Sequence, residues 1–245
     1  MLLASLAALT LASGCTTFSD DDAVARVGDT ELGLDELEQR AVDAGIPADG
    51  PLDSRVVRTV IAGWIQETAT STGLFDPQSI DVPEDEVARR FDAGLARSGT
   101  ICPRILITDT TEAGDAVVDD LESGASFDDV FADANIDPSL DADAGRIGCL
   151  GINDVAAAAG APEVAALYDL DARERFTAEP ILDPLGEPAG AVVIAFVPYA
   201  ELSETEASVA TSTVESVIAV DDLDIKVNSR YGYFDPVVAD VVPLG

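Results

Sequence analysis

The sequence predicts an exported globular protein of the α+β class, and three observations support this. Hydrophobic residues make up 47% of the 245 residues, so the chain can bury a core. Segments with apolar residues at helical spacing are interspersed with short strand-like apolar runs. An uncharged apolar segment at 1–14 precedes all of them and has the character of an export signal.

The composition excludes several classes of function. The chain carries 13 Lys+Arg against 47 Asp+Glu, a net charge of −34, so it would repel nucleic acids and anionic lipid surfaces. It contains no histidine, which excludes Ser-His-Asp and Cys-His catalysis and His-ligated zinc. Carboxylate chemistry stays possible, but acids scattered in such number favour a solvated anionic surface.

The first 22 residues predict where the protein is located. Residues 1–14 read as a lipoprotein signal peptide, because the apolar run is too short to span a bilayer. The motif LASGC at 11–15 resembles a bacterial lipobox, so we expect lipidation of Cys15 and a polar tether over 15–22. The protein would then be extracytoplasmic and held to the cell membrane through its lipid alone. The alternative is a plain cleavable signal followed by an incidental cysteine.

The region 23–99 opens with Val24–Leu32, which reads as a β-hairpin with Gly28-Asp29 as its turn. Apolar residues at helical spacing then predict three helices, beginning near Leu34, Asp53 and Asp81. The second helix carries a buried stripe of Val57, Val60, Ile61, Trp64 and Ile65. We expect this stripe to be ordinary core.

The region 100–199 is predicted to begin and end with a strand. The strands are Ile101–Ile107 and Ala191–Val197. Helices are predicted over Thr111–Glu122, Ser126–Asn135 and the Ala-rich Asp154–Leu170, with a Gly/Asp loop from Asp137 to Gly148.

The remaining tail, 200–245, is predicted to return to helix from Glu201. Strand-like segments follow at Asp224–Asn228 and Val237–Val242.

Two cysteines remain if Cys15 is lipidated, and an even remainder in an exported chain favours a disulfide between Cys102 and Cys149. The alternative is a pair of buried free thiols. A catalytic cysteine is disfavoured, because the chain has no histidine to activate it.

Three segments carry a family resemblance. They are VARVGDTELGLDEL at 24–37, the segment from RILI at 104–107 to GRIGC at 145–149, and DIKVNSRYGYFD at 224–235. In this order they resemble the SurA-like and parvulin-like (PpiC-type) foldase lipoproteins of actinobacterial type. The resemblance implies a helical SurA-type N/C chaperone module, built from 23–99 and 200–245. A parvulin-like domain at 100–199, a small antiparallel sheet wrapped by helices, would be inserted into it.

The resemblance also implies where a prolyl isomerase site would lie. The first of the family's two histidines falls on Arg104, and the second on Val192 or the adjacent Val193. The central acidic position falls on Asp137, and the Asp of the family's Gly-Gly-Asp-Leu-Gly loop falls on Arg146. The site is therefore a degenerate one that has lost both imidazoles.

The apolar lining of that site is also reduced. The segment that matches the family's proline pocket, 153–166, has no aromatic residue and no Met. We hypothesise that Arg104 and Arg146 pair with Asp137, so that a salt bridge replaces the imidazole network. A proline-peptide assay should then show little acceleration, although catalysis by binding alone does not require imidazole.

The expected function is that of a membrane-anchored chaperone, a holdase or foldase for unfolded and newly exported polypeptides, with no cofactor. One alternative is an active peptidyl-prolyl cis-trans isomerase, and another is a non-catalytic scaffold lipoprotein. Asp137, Asp141 and Asp143 partly mimic an acidic cation loop, but the full calcium-loop spacing is absent. A polar turn is therefore favoured over a metal site there.

Overall fold

The computed structural model describes residues 23–45, 53–74, 82–157 and 162–244. The predicted signal peptide at 1–14, the lipidation site Cys15 and the tether at 15–22 lie outside these residues. Helices and short antiparallel strands are mixed along the described chain, which confirms the α+β class. Within these ranges, no helix has the length and apolarity needed to cross a bilayer.

The strands are short and pair in small antiparallel sheets. In chain order they are β1 Ala23–Val27, β2 Thr30–Gly33, β3 Thr100–Ile101, β4 Pro103–Thr108, β5 Leu150–Gly151, β6 Phe176–Leu182, β7 Pro188–Phe196, β8 Ile225–Val227, β9 Tyr233–Asp235 and β10 Asp240–Val242.

The α-helices fall between and around these strands. They are α1 Leu34–Asp43, α2 Ser54–Ser71, α3 Glu84–Phe91, α4 Leu95–Ser98, α5 Thr111–Glu122, α6 Phe127–Ala134, α7 Ile152–Ala157, α8 Pro162–Ala166 and α9 Glu204–Asp221. Short 3₁₀ helices cover Pro138–Asp143 and Tyr199–Glu201.

The two ends of the described chain meet in one sheet. The predicted hairpin is confirmed as β1 and β2, and its turn residue Gly28 adopts φ +56°, a left-handed conformation that costs glycine little. On its other side β1 pairs with β8, with Ala25 opposite Val227. The predicted stripe of α2 packs beneath this sheet, with Ile61 and Trp64 buried in the same cluster as Val27.

The central sheet has the strand order β4-β7-β6, and β7 lies in the middle. One face packs against α5 and α6, where Leu106 and Val193 join Val117, Leu121 and Phe131 in a buried cluster. The opposite face belongs to a larger cluster that holds Phe196 together with Phe91 of α3 and Val214 of α9. The region 100–199 therefore shares its core with segments on both sides of it in sequence.

The outer edge of β4 is covered by the segment that follows α6. The Ile105 N–H donates to the Gly145 carbonyl over 2.9 Å, and the Ile136 N–H donates to the Ile107 carbonyl over 2.9 Å. The Asn135 amide oxygen accepts from the Ile107 N–H over 3.1 Å. These bonds leave β6, which contains Pro180, as the other edge of the sheet.

The single strand predicted over Ile101–Ile107 is broken at Cys102, so that prediction is wrong. β3 pairs with β5, whereas β4 pairs with β7 in a different sheet. The physical cause lies at the break: Pro103 has no N–H to donate, and Cys102 is bonded through a disulfide to Cys149. The disulfide is the pairing that the cysteine count favours.

Other boundaries also differ from the sequence prediction. The Ala-rich helix predicted to Leu170 ends as α8 at Ala166, and the turn after it has the Tyr168 N–H bonded to the Ala165 carbonyl. The tail helix begins at Glu204 rather than Glu201, because Ser203 caps it. Strands β6 and β9 and the 3₁₀ helix at Pro138–Asp143 were not predicted.

Breaking the disulfide should lower the free energy of unfolding. The bond joins residues 47 apart in sequence, so in the chain-entropy model its removal costs about 3 to 4 kcal/mol. Urea unfolding of a Cys102→Ala, Cys149→Ala double variant measures this loss. Adding reductant should destabilise the native chain but leave the double variant unchanged. An unchanged unfolding midpoint in both experiments would contradict the prediction.

Candidate functional site

Arg104 and Val192 lie on neighbouring strands but on opposite faces of the sheet. In the register of β4 with β7, Arg104 is opposite Ala195 and Ile107 is opposite Val192. Cross-strand partners share a face and successive residues alternate, so the Arg104 face also carries Val193. Val193 is fully buried beneath α5 and α6, and Val192 is buried in the cluster of the other face. The two positions therefore do not form one pocket with Arg104.

Asp137 shapes the turn that follows α6. Its carboxylate accepts the backbone N–H of Ser139 over 2.9 Å and caps the 3₁₀ helix. Hydrogen bonds from the Ser139 side chain and then from its backbone hold the pKa of Asp137 below its ordinary value. The hypothesis that Asp137 pairs with Arg104 and Arg146 is wrong, because both guanidinium groups bind other acids.

Arg104 is held on three sides at the end of the sheet. Its Nε donates to the Ala144 carbonyl over 3.1 Å, and its Nη2 forms an ion pair with Asp128 in the first turn of α6. The guanidinium carbon lies 4.1 Å from the centre of the Phe127 ring, within range of a cation–π contact. The side chain is only 12% exposed. Arg104 is therefore a fixed positive group, not a mobile acid or base.

Arg146 binds Glu206 at the start of α9. The Nη1–Oε2 distance is 2.5 Å, and the Glu206 side chain is 8% exposed. Glu206 also completes a capping box with Ser203, whose backbone N–H donates to it over 2.9 Å. Burial alone would raise the pKa of Glu206, but the hydrogen bonds from Ser203 and Arg146 outweigh it and lower the pKa. This pair joins the region 100–199 to the tail.

An open cleft of about 860 Å³ lies between β4, the start of α6 and the residues before β6. The chain has one lysine, so its 13 basic residues comprise 12 arginines. The cleft is lined by four of these arginines, four acids and three phenylalanine rings: Arg104, Arg146, Arg173, Arg175, Glu122, Asp128, Glu174, Glu201, Phe127, Phe176 and Phe196. The charges of the lining therefore balance, whereas the chain as a whole carries a net charge of −34.

Arg175 leaves one hydrogen-bond donor unsatisfied in this cleft. Its Nη2 donates to Glu201 over 3.1 Å, and its guanidinium carbon lies 5.5 Å from the centre of the Phe176 ring. Its Nε is buried, and no residue that the structure describes accepts a hydrogen bond from it. A buried donor without an acceptor costs free energy.

Two of the three acids that partly mimic a cation loop are engaged in the local turn. Asp137 caps the 3₁₀ helix, and the Asn135 amide nitrogen donates to Asp141 over 3.2 Å. Across the described parts of the chain, no group of three or more Cys, Asp or Glu side chains is arranged to hold a metal ion.

Some of the site could have been found in the sequence and some could not. Ser203 and Glu206 form the S-x-x-E pattern of a capping box, a sequence signal for the buried Glu206. Arg175 and Phe176 carry no comparable signal, since β6 contains Glu179 and Pro180 and does not alternate cleanly.

Comparison with known proteins finds little sequence similarity. No protein-family profile matches the chain, and no curated protein matches it. Two solved structures match in fold comparison, both with low similarity.

The foldase protein PrsA from Streptococcus pneumoniae matches with 12% identity and a TM-score of 0.30, covering 77% of this chain and 64% of that protein. The chain thus spans less than two thirds of the length of that foldase. PrsA from Bacillus subtilis matches with 12% identity and a TM-score of 0.31, covering 83% of this chain and 88% of that protein.

Substitution of Gly145 by Ala should destabilise the fold more than the same change at Gly148. Both glycines have positive φ, +79° and +80°, where Ala costs about 1 to 2 kcal/mol. A Cβ at Gly145 would also lie 2.2 Å from the Ile105 carbonyl oxygen, whereas nothing lies within 4 Å at Gly148. Thermal unfolding of the two variants measures the difference. Equal losses of stability in the two variants would contradict the prediction, because they would show that the segment covering β4 can shift to make room for the Cβ.

Substitution of Glu206 by Gln should reduce stability at neutral pH by about 1 to 3 kcal/mol, because it weakens a buried ion pair and a capping box. A lowered pKa in the folded state stabilises the fold above the unfolded-state value, near 4.5, and this contribution is lost as the pH falls through the folded pKa. Urea unfolding at pH 7 and at successively lower pH should therefore show the gap between native chain and variant closing.

The matched control for this prediction is Glu204→Gln, in the same turn of α9 but with an exposed side chain. It should change stability less at pH 7. A gap between native chain and Glu206→Gln that stays constant down to pH 3 would contradict the assignment of the stabilisation to the Glu206 carboxylate.

Proposed function

We propose that the protein is an extracytoplasmic chaperone, anchored to the membrane through Cys15, that binds unfolded exported polypeptides. Its parvulin-like domain at 100–199 binds client chains without isomerising their prolyl bonds. The observation that carries this proposal is the surroundings of the two residues that replace the histidines of the family. Arg104 is fixed by Asp128 and the Ala144 carbonyl, and Val192 is part of the core.

Prolyl isomerisation places demands that this arrangement does not meet. The barrier is set by amide resonance, about 18 to 20 kcal/mol, so a catalyst must bind the twisted amide better than either planar form. The polar groups at the rim of the cleft are guanidinium–carboxylate pairs that hold one another. Of the two positions equivalent to the second histidine, Val192 lies on the far side of the sheet and Val193 is fully buried on the near side. These features support binding without catalysis.

The arrangement of the chain ends supports an N/C chaperone module built from 23–99 and 200–245. β8 completes the sheet that β1 begins. Beside this sheet, an apolar groove of about 290 Å³ is lined by residues of α2 and of the tail, among them Ile65, Leu223 and Phe234. We propose that the groove accepts apolar side chains of a client, while the net charge of −34 keeps chaperone molecules apart.

The proposal predicts that the protein suppresses aggregation without isomerase activity. The mature chain with Cys15 replaced by Ser, which is free of lipid, should reduce light scattering from an unfolding client protein. In an assay on a proline peptide, it should give little acceleration over the uncatalysed rate. A rate comparable with that of active parvulins would show an isomerase instead. Absence of both activities would favour a scaffold lipoprotein.

A groove variant makes this test specific. Leu223→Asp places a charge in the apolar groove and should weaken aggregation suppression, because an apolar client side chain would meet a carboxylate. The matched control is Leu185→Asp, at a position that is 86% exposed in the turn between β6 and β7. It should suppress aggregation as the native chain does. Circular dichroism of both variants checks that the fold is retained.

A further inference from the structure

We propose that the outer edge of β6 binds extended segments of client polypeptides by β-strand addition. In this mode the main chain of the client pairs with the free hydrogen-bonding groups of an edge strand, and it becomes a fourth strand of the sheet β4-β7-β6. The inference rests on the proposed function, since it states how a client is held.

The ladder between β6 and β7 shows which backbone groups of β6 point away from the sheet. The Phe196 N–H donates to the Arg175 carbonyl over 2.7 Å, so these two residues form a hydrogen-bonded pair. Bonded and non-bonded pairs alternate along an antiparallel ladder, and the register is regular from Phe176 to Ile181. Every second residue after Arg175 therefore bonds to β7. The residues between them direct their backbone groups outward, and these are Phe176, Ala178 and Pro180.

The same alternation accounts for the opposite edge of the sheet. There the outward residues of β4 are Ile105 and Ile107, and both are hydrogen-bonded to the segment that follows α6. On β6, no hydrogen bond from elsewhere in the described ranges reaches the backbone of the three outward residues. This edge offers two N–H donors and three carbonyl acceptors, because Pro180 has no N–H.

The exposure of β6 also lies along its edge. The strand is half-buried from Phe176 to Ile181, whereas β7 is buried from Gly190 to Phe196. Both faces of β6 are covered, since Ala178 packs on the cluster of α5 and Ile181 packs on the cluster that includes α8. A row of unpaired N–H and C=O groups at a sheet edge is a template for another extended chain.

The length and charge of the site favour an unfolded client over a second copy of the protein. The donors end at Pro180, so few hydrogen bonds can form, and a short edge interrupted by proline resists edge-to-edge aggregation. A second copy would bring another net charge of −34 to the sheet. An unfolded client has free main-chain groups along its length, and pairing with them requires no particular sequence.

Amide hydrogen exchange measured by NMR tests the inference residue by residue. In the free protein, the amides of Phe176 and Ala178 should exchange faster than those of Thr177 and Glu179, which bond to β7. The probe is a short peptide of alternating Thr and Val with a Lys at each end, mixed with the lipid-free mature chain. It should slow exchange at Phe176 and Ala178. Unchanged exchange at both of these amides, with the peptide bound, would overturn the inference.

A second probe isolates the contribution of the main chain. The same peptide with N-methyl groups on its Thr and Val amides keeps its side chains and charge but cannot donate hydrogen bonds from these residues. In fluorescence anisotropy it should bind at least about tenfold more weakly, because several hydrogen bonds are lost together. Equal affinity of the two peptides would show that side chains or charge control binding, which contradicts strand addition.

Variants of β6 change the number of outward donors in both directions. Ala178→Pro removes one outward N–H, at the kind of edge position where proline is tolerated, and should weaken binding of the unmethylated peptide about two- to tenfold. Pro180→Ala adds an outward N–H and should strengthen binding by a similar factor. A role confined to stability would not predict this increase.

The matched control is Ala178→Ser, which keeps the backbone N–H and should bind the peptide as the native chain does. Circular dichroism checks that each variant keeps its fold. If Ala178→Pro does not fold, the Pro180→Ala variant still decides the question. Unchanged or weaker binding by folded Pro180→Ala would contradict the inference.

The outcomes separate this inference from the proposed function. Aggregation suppression without protection of Phe176 and Ala178 would refute the edge site and leave the chaperone proposal standing. Protection of these two amides by the peptide, without aggregation suppression, would support the edge site and refute the chaperone role.

Discussion

The burial of β7 on both faces is the constraint on which the rest of the structure depends. On one side Ala191 and Val193 lie under α5, and a Cβ at Gly114 of that helix would come within 2.7 Å of the Ala191 side chain. On the other side Phe196 packs 5.6 Å from Phe91, measured between ring centres. Complete burial of each large side chain contributes about 1.5 to 3 kcal/mol, so this strand anchors elements from the whole chain.

This constraint determines where polar chemistry can occur. A group that exchanges protons or binds a twisted amide needs a polar, accessible position, and residues 192 and 193 offer none. Arg104 is different because it lies at the start of β4, where the sheet opens into the cleft beside α6. The same sheet can therefore hold a binding site at its end while its middle serves only as core. The resemblance to isomerases and the proposed lack of isomerase activity are compatible for this reason.

The elements predicted best from the sequence are those whose ends are set by local signals, such as a capping residue. α5 has the predicted bounds, and Thr110 caps it by accepting the Ala113 N–H. β6 was missed because its pattern depends on its position at a sheet edge, where Pro and Glu are tolerated. The partners of Arg104 and Arg146 were also mispredicted. With 47 acids in the chain, a residue's type does not identify its partner, and only the fold brings Asp128 and Glu206 to these arginines.

The excess of acids also explains why the arginines of the cleft are held in place by ion pairs. Three of the four arginines that line the cleft are paired with acids, and two of these acids project from solvent-exposed positions. The chain as a whole is strongly anionic, although the cleft lining is balanced, with four arginines against Glu122, Asp128, Glu174 and Glu201. At a distance it resists association with other acidic copies of itself, because the whole field counts. At contact the ion pairs of the cleft hold Arg104, Arg146 and Arg175 in place. Repulsion by the net charge and the ion pairs of the cleft are therefore compatible, because the first acts over a long distance and the second acts at contact.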